Sequence, residues 1–521
     1  MSGRGLDPVT FSVLSSALVG VAEEMGALLV RSAYSSNIKE RRDCSTAIFD
    51  ARGRMVAQAE HIPVHLGAMP ESVAAVMAKG PEPGDVYILN DPYAGGTHLP
   101  DITLVSACAT GDGDLVAYAA TRAHHSDVGG MRPGSMPADA HEIFQEGLII
   151  PPTLLMREDG FIDEVMELIL ANVRTPALRR GDLRAQLAAN QLGKRRLREL
   201  IEVHGLDVIT TCFGEAIAYA ERRSRAAIAD LPDGTYSASG EVEGDGVIDD
   251  DIPIEVALDV RGDSMTIDFE GTSAQVAGNI NCPLAVTRSA CYFALRVVLP
   301  TDVPANAGAY APLQIKAPKG SLVNATSPSA VAAGNVETSQ RIADVVLLAL
   351  SRATVVPAMG QGTMNNVIIG TPEWTYYETI GGGQGATSSG PGPSGVHVGM
   401  SNTLNTPIEA LELEFPLRVE RQQLVYGSGG DGAHRGGDGI ERAVRTLEPA
   451  ALSLLTDRRR HGPKGLRGGK SGRPGRNLIN GSEHSAKLSR RLDQGDVVTI
   501  ETPGGGGYGR PSSFPSPTGS P

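Results

Sequence analysis

Residues 101–125, DITLVSACATGDGDLVAYAATRAHH, form two apolar runs separated by Gly111-Asp112-Gly113-Asp114. β-Branched and aromatic residues recur in both runs, and the Gly/Asp stretch between them is a turn signal. Residues 102–109 and 115–123 are therefore predicted to form a β-hairpin. A turn on Asp112-Gly113 sets Asp101 directly opposite His124, with side chains about 5 Å apart on one face. A slip of one residue would bring His125 there instead. His98 lies three residues before Asp101, in the loop Gly95-Gly96-Thr97-His98-Leu99-Pro100, and can fold back on the same site.

Outward from this hairpin the chain alternates helices and strands. Phe11, Leu14, Leu18, Val21, Met25 and Leu28 recur at helical spacing, which predicts an amphipathic helix over 9–33. Strands are expected at 44–49 and 54–59 around Asp50-Ala51-Arg52-Gly53, and at 86–89. A loop at 65–77 enters a helix. Helices follow at 164–202, broken at Pro176, and at 208–228. Strands at 234–242, 252–259 and 264–269 precede buried helices at 286–299 and 336–355.

The fold class expected is α+β and multi-domain, with mixed sheets and hairpins, flanking helices and a β-rich C-terminal region. The units are 1–230, an α+β domain with the candidate metal site; 231–275, a small inserted β unit; 276–425, a central α+β domain with a glycine-rich loop; and 426–510, β-rich. The Pro/Ser-rich tail 511–521 is expected to be disordered.

Composition narrows the function classes. The net charge of −14 lacks the basic stripe of a nucleic-acid binder. No run of about eighteen apolar residues is present, and the first residues lack a signal peptide's apolar stretch, so no membrane span is expected. Cys44, Cys108, Cys212, Cys282 and Cys291 have no C-x-x-C spacing and read as buried free thiols in the cytoplasm. Glycine makes up 63 of 521 residues, against a usual roughly 7%. The excess has no fixed period and reads as tight turns and close backbone approaches.

Six of the 11 histidines (His61, His65, His98, His124, His125, His141) fall between positions 61 and 141, interleaved with Asp91, Asp101 and Asp127 and preceded by Asp43. Two imidazoles and one carboxylate at a hairpin's open end can hold a divalent metal with coordination positions to spare. Nitrogen and oxygen donors suit Zn, Mn, Fe or Co. The same residues also read as a structural His–Asp hydrogen bond, and spacing does not separate the two.

Longer motifs add a resemblance. Residues 90–101 (NDPYAGGTHLPD), 123–130 (AHHSDVGG), 133–137 (PGSMP), 146–152 (EGLIIPP), 376–383 (YYETIGGG), 402–409 (NTLNTPIE), 427–430 (GSGG) and 435–439 (RGGDG) follow in order. From about residue 7 to 510 the chain resembles the hydantoinase B/oxoprolinase family. That family includes the B-type chains of ATP-dependent N-methylhydantoinases, the C-terminal half of 5-oxoprolinases, and subunits of caprolactamase and of acetone and acetophenone carboxylases.

The resemblance implies a division of labour. A hydantoinase A-type partner binds ATP and phosphorylates a carbonyl or enol oxygen, and the B-type chain holds a divalent metal and completes the reaction. It assigns His98, Asp101 and His124 to the metal, with Asp43 as a further candidate. A divalent metal lowers the pKa of a water from about 15.7 toward about 7, and Asp43 is a candidate proton acceptor. His65 is a candidate member of the site, and His125 a neighbour donating to a carboxylate.

The chain lacks G-x-x-x-x-G-K-[ST], so ATP is left to the partner. The glycine-rich loops 381–385 and 427–430 read either as backbone cradles for a phosphorylated intermediate or as tight packing at a seam. Arg341 reads as an anion binder or as the partner of Glu337. The leading function is ATP-dependent hydrolysis of a cyclic amide such as a hydantoin or 5-oxoproline, in a hetero-oligomer such as α2β2. The alternatives are a ketone carboxylase subunit and a non-catalytic scaffold for the A-type chain.

Overall fold

The computed structural model describes residues 5–60, 62–111, 113–157 and 160–511. The expectations for His61, for Asp112 at the hairpin turn, for the first four residues and for the tail from 512 onward lie outside the described residues.

The N-terminal half is built on a seven-stranded antiparallel sheet. Its strands are β1 (Cys44–Asp50), β2 (Met55–Glu60), β3 (Val86–Leu89), β4 (Asp101–Ala109), β5 (Leu115–His124), β6 (Thr153–Arg157) and β7 (Gly160–Phe161), in the order β2-β1-β5-β4-β3-β6-β7. Side chains along β5 alternate between two cores, as a period of two demands. Ala117, Ala119 and Ala123 face a helical layer, while Tyr118 and Ala120 face the opposite side. Both faces are covered, so these strands read as unbroken apolar runs.

The helix Pro8–Ser32 covers one face. It starts where Asp7 accepts from the N–H groups of Val9 and Thr10, both at 3.1 Å, with Pro8 in the first turn. Leu14, Leu18, Val21, Met25 and Leu29 are buried at intervals of three and four, each contributing roughly 1.5–3 kcal/mol. By length and mean hydropathy (1.7) this helix would suffice to cross a membrane. Here its apolar stripe packs on Cys44, Ile48 and Ala119 and on the helices Pro176–His204 and Leu206–Ala229. Pro176 opens the second of the helices predicted around it.

The β4–β5 hairpin pairs Asp101 with His124 and Ile102 with Ala123. A register shift between Cys108 and Ala109 places Ala109 opposite Leu115. This bulge lies at the turn end, so the open end keeps the predicted pairing. All five cysteines are buried and unpaired, as expected.

A second sheet, β8 (Gly234–Glu243), β9 (Asp251–Arg261), β10 (Ser264–Asp268) and β11 (Leu313–Lys316), has order β11-β10-β9-β8. The last strand pairs parallel to β10 and comes from well beyond residue 275. The helices Leu284–Val298 and Ser339–Leu350 share the core of this sheet. The helix predicted over 336–355 is shorter and preceded by a π-helical turn, Gly334–Thr338.

The C-terminal region is strand-rich, as expected, with a four-stranded and a five-stranded sheet sharing one core around Ile369, Leu452, Val444 and Ile500. Beside it, glycine-rich segments lie against one another. Gly382, Gly383 and Gly430 donate to the carbonyls of Val396, Pro503 and Gly505 at 2.8, 3.0 and 2.9 Å, and Gly429 donates to Asp438 Oδ1 at 2.8 Å. Those N–H groups are already used. The tight-packing reading of these loops therefore replaces the phosphate cradle.

A Cβ on Gly383 would sit 2.1 Å from Gly437 O and 2.2 Å from Gly505 N, whereas Gly390 has open space. Gly383→Ala is expected to lower the unfolding free energy by about 3 kcal/mol or more. Gly390→Ala should change it by less than about 0.5 kcal/mol. Urea denaturation of the two variants beside the parent checks both values.

Candidate metal centre

The site is made by three local devices. The first is the hairpin register, which puts Asp101 and His124 side by side. The second is the loop from β3 to β4. Asn90 pins it by donating to the carbonyls of Leu99 (2.8 Å) and Leu148 (2.9 Å) and accepting from Ile150 N–H (2.7 Å). Within the loop, Asp91 caps the turn Pro92–Ala94 through Tyr93 N–H (2.9 Å), and Gly95 takes φ 95°, a left-handed conformation that suits glycine. Asp101 N–H then closes on His98 O at 3.1 Å, which turns His98 back toward the sheet. The third device is the turn Pro63–His65, which delivers His65.

His98, Asp101 and His124 are 0, 1 and 2% exposed. Asp101 Oδ1 lies 3.1 Å from His98 Nε2 and 3.0 Å from His124 Nδ1, and the two nitrogens are 3.2 Å apart. Protons alone serve this triangle poorly. If both imidazoles donate to the carboxylate, two N–H groups face each other at 3.2 Å. A divalent ion suits it better, because donors about 2.1 Å from one centre and at right angles are about 3.0 Å apart. The three residues therefore fit a facial two-histidine, one-carboxylate set, and His124 Nε2, buried, has no hydrogen-bond partner among the described residues.

Asp101 Oδ2 accepts from Thr97 Oγ1 at 2.6 Å and lies 3.4 Å from His65 Nε2, while His65 Nδ1 meets Ser45 Oγ at 2.9 Å. Burial opposes ionisation of Asp101. The positive charge of His98 and hydrogen bonds from His124, His65 and His98 outweigh it and hold the carboxyl well below its usual range. Burial also disfavours a charged His98, but Asp101 raises its pKa on balance. For His124 burial prevails and the pKa falls.

The other candidates divide. Asp43 is buried beside the cluster. Its carbonyl accepts from His124 N–H at 3.0 Å and its carboxylate is 3.9 Å from Arg41. His125 points to the other side of β5, where Nε2 meets Gln186 Oε1 at 2.9 Å. Burial and then the charge of Arg179 lower its pKa to about 4. Its partner is an amide, not the carboxylate expected. Asp127 serves Gly129, Gly134 and Arg174, and His141 is exposed. Arg341 pairs with Asp457 (2.9 Å) and Asp344 (3.5 Å) rather than with Glu337.

Three residues escaped the sequence reading. Tyr377 stacks on His124, centroids 4.5 Å apart and planes 23° apart. Arg41 lies over the Tyr377 ring at 4.6 Å and donates to Tyr377 O at 3.1 Å. Glu146 Oε1 accepts from Val331 and Ala332 N–H, and Ala332 O in turn lies 3.4 Å from His98 Nδ1. Nothing local in the sequence marks these contacts.

Residues 7–511 match the family described as Hydantoinase B/oxoprolinase. The chain belongs to this family. It is 38% identical to 5-oxoprolinase 1 of Arabidopsis thaliana over 96% of this chain, and spans only 42% of that longer protein. It is 34% identical to a Pseudomonas protein named as the B-type chain of a D-/L-hydantoinase, covering 98% of this chain and 91% of that one. The fold superposes on the crystal structure of an ATP-dependent caprolactamase from Pseudomonas jessenii with a TM-score of 0.90 at 29% identity, covering 97% and 92% of the two chains.

Two measurements test the site. Zn, Mn or Co at about a hundredfold excess over Kd is expected to stabilise the parent by about 2.7 kcal/mol. This gain should be absent in His98→Ala and His124→Ala but kept in His125→Ala, as read by thermal unfolding. Glu146 supplies a pH test. Burial raises its pKa from 4.5 to about 8, against the two N–H groups it accepts from. The fold therefore favours the neutral acid, and its stabilising contribution is full below about 4.5 and lost as pH rises through about 8. Glu146→Gln should remove that component of the pH–stability profile.

Proposed function

We propose that this chain is the metal-bearing B-type subunit of an ATP-dependent cyclic-amide hydrolase, acting with a hydantoinase A-type ATP-binding chain in the cytoplasm. The observation that carries this reading is the triangle of His98 Nε2, Asp101 Oδ1 and His124 Nδ1, 3.0–3.2 Å on a side. It occurs in a chain similar to proteins named for 5-oxoproline, hydantoin and caprolactam, all ring amides. Likeness to a B-type hydantoinase chain, of which this chain covers 91%, supports a separate A-type partner.

An amide carbonyl is a poor electrophile, and phosphorylation of its oxygen by the partner turns that oxygen into a leaving group. The metal, when held by His98, Asp101 and His124, supplies Lewis acidity and lowers the pKa of water. The chain's own residues do the rest. Thr97 and His65 fix the second oxygen of Asp101, so the first faces the histidines. The Asp43 carboxylate is the proton acceptor beside the cluster, and His65 acts through its hold on Asp101. Tyr377 covers His124 and keeps water off that side. Arg41 brings a buried positive charge toward an anionic reactant, and its own nearest carboxylate, Asp43, is 3.9 Å away.

Co-expression with an A-type chain tests this reading. Release of inorganic phosphate is expected with 5-oxoproline, a hydantoin or a lactam, and His98→Ala should lower it roughly a hundredfold or more. Phosphate release that requires bicarbonate and a ketone would replace hydrolysis by carboxylation. Undiminished activity in His98→Ala would leave the chain a scaffold.

A further inference from the structure

The motif at 146–152 (EGLIIPP) reaches His98 from two sides. On one side Asn90 donates to Leu148 O at 2.9 Å and accepts from Ile150 N–H at 2.7 Å, and it also donates to Leu99 O at 2.8 Å. This fixes the backbone next to His98. On the other side Glu146 Oε1 accepts from the N–H groups of Val331 (2.9 Å) and Ala332 (2.8 Å), and Ala332 O lies 3.4 Å from His98 Nδ1. The Ala332 carbonyl is oriented from the far end of its own peptide group by Ala333 N–H, which donates to Asn279 O at 3.0 Å.

A carbonyl oxygen only accepts, so the ring nitrogen that bonds to it carries the proton. The neutral His98 ring is then left with a bare Nε2, the atom that faces Asp101 Oδ1 at 3.1 Å and His124 Nδ1 at 3.2 Å. A histidine that binds a metal through one nitrogen commonly donates its other N–H to a carbonyl, which sets both tautomer and ring orientation. Here that carbonyl belongs to a segment held by Glu146.

Packing alone does not call for this residue. Glu146 is fully buried and its Oε2 has no hydrogen-bond partner among the described residues, a loss that an apolar side chain would avoid. Burial pushes its carboxyl up to about 8, against the two N–H groups and the charge of His98, so the two side chains feel one another. We propose that Glu146 is a positioning residue for the metal: it holds residues 331–332 so that the Ala332 carbonyl takes the Nδ1 proton of His98 and aims Nε2 into the cluster. The assignment rests on the metal reading above and needs neither ATP nor the partner chain.

Titration of the metal-free full chain with cobalt(II), followed by heat and by the visible absorption of the bound ion, tests this. Glu146→Ala is expected to bind cobalt(II) about tenfold or more weakly, with an altered visible spectrum. Glu146→Gln keeps an acceptor oxygen for Val331 and Ala332, and should bind within about threefold of the parent. Leu258→Ala opens a cavity in the core of the second sheet and lowers stability, but should keep the parent's affinity and spectrum. If Glu146→Ala fails to fold, Glu146→Asp, a methylene short of the two N–H groups, carries the same expectation. Parent-like binding in that variant, or an equal loss in Glu146→Gln or Leu258→Ala, overturns the role of Glu146 and leaves the metal reading standing. A parent that takes up no cobalt(II) overturns both.

Discussion

One buried carboxylate organises the N-terminal half. Asp101 is 1% exposed and meets three imidazoles and a threonine hydroxyl. A carboxylate so deep is tolerable only when its lone pairs are met by donors or a cation. The donors come from three devices: a strand opposite, a glycine-containing loop before, which supplies both Thr97 and His98, and a short turn after β2. The register of β4 on β5 is the condition for all of them, because a slip of one residue would replace His124 by a histidine that faces Gln186.

The C-terminal half closes the site rather than building it. Tyr377 stacks on His124, and its hydroxyl is fixed by Asn366 Oδ1 at 2.9 Å. Arg41 ties the segment before β1 to Tyr377 O and Thr379 Oγ1. Other buried charges link distant segments in the same way. Arg442 meets Glu378, Arg341 and Lys487 meet Asp457, and Arg458 meets Asp344. Leaving one partner of such a pair buried alone would cost several kcal/mol. These pairs therefore bear on how the C-terminal segments register against one another more than on net stability.

The glycine-rich segments solve a different problem. Their backbones approach so closely that a Cβ at Gly505 would sit 2.0 Å from Gln384 O. Their N–H and carbonyl groups bond across segments that are far apart in sequence, such as Gly430 to Gly505 and Gly506 to Met359. This satisfies buried backbone without regular strands.

Much of the frame was legible in the chain itself. The period of three to four in Leu14, Leu18, Val21 and Met25, and the apolar runs around Gly111–Asp114, are local patterns, and local hydrogen bonding turns them into a helix and a hairpin. The pairing of Asp101 with His124 followed from turn position and a period of two, and the proximity of His98 from three residues of spacing. Other contacts were not legible. Tyr377 against His124, Gln186 against His125, Asp457 against Arg341 and Pro503 against Gly383 join residues far apart in sequence, and no periodicity couples such positions. Sequence alone determined which residues can meet across one turn. Only the tertiary structure decided which face each one sees, because that depends on what packs there from elsewhere in the chain.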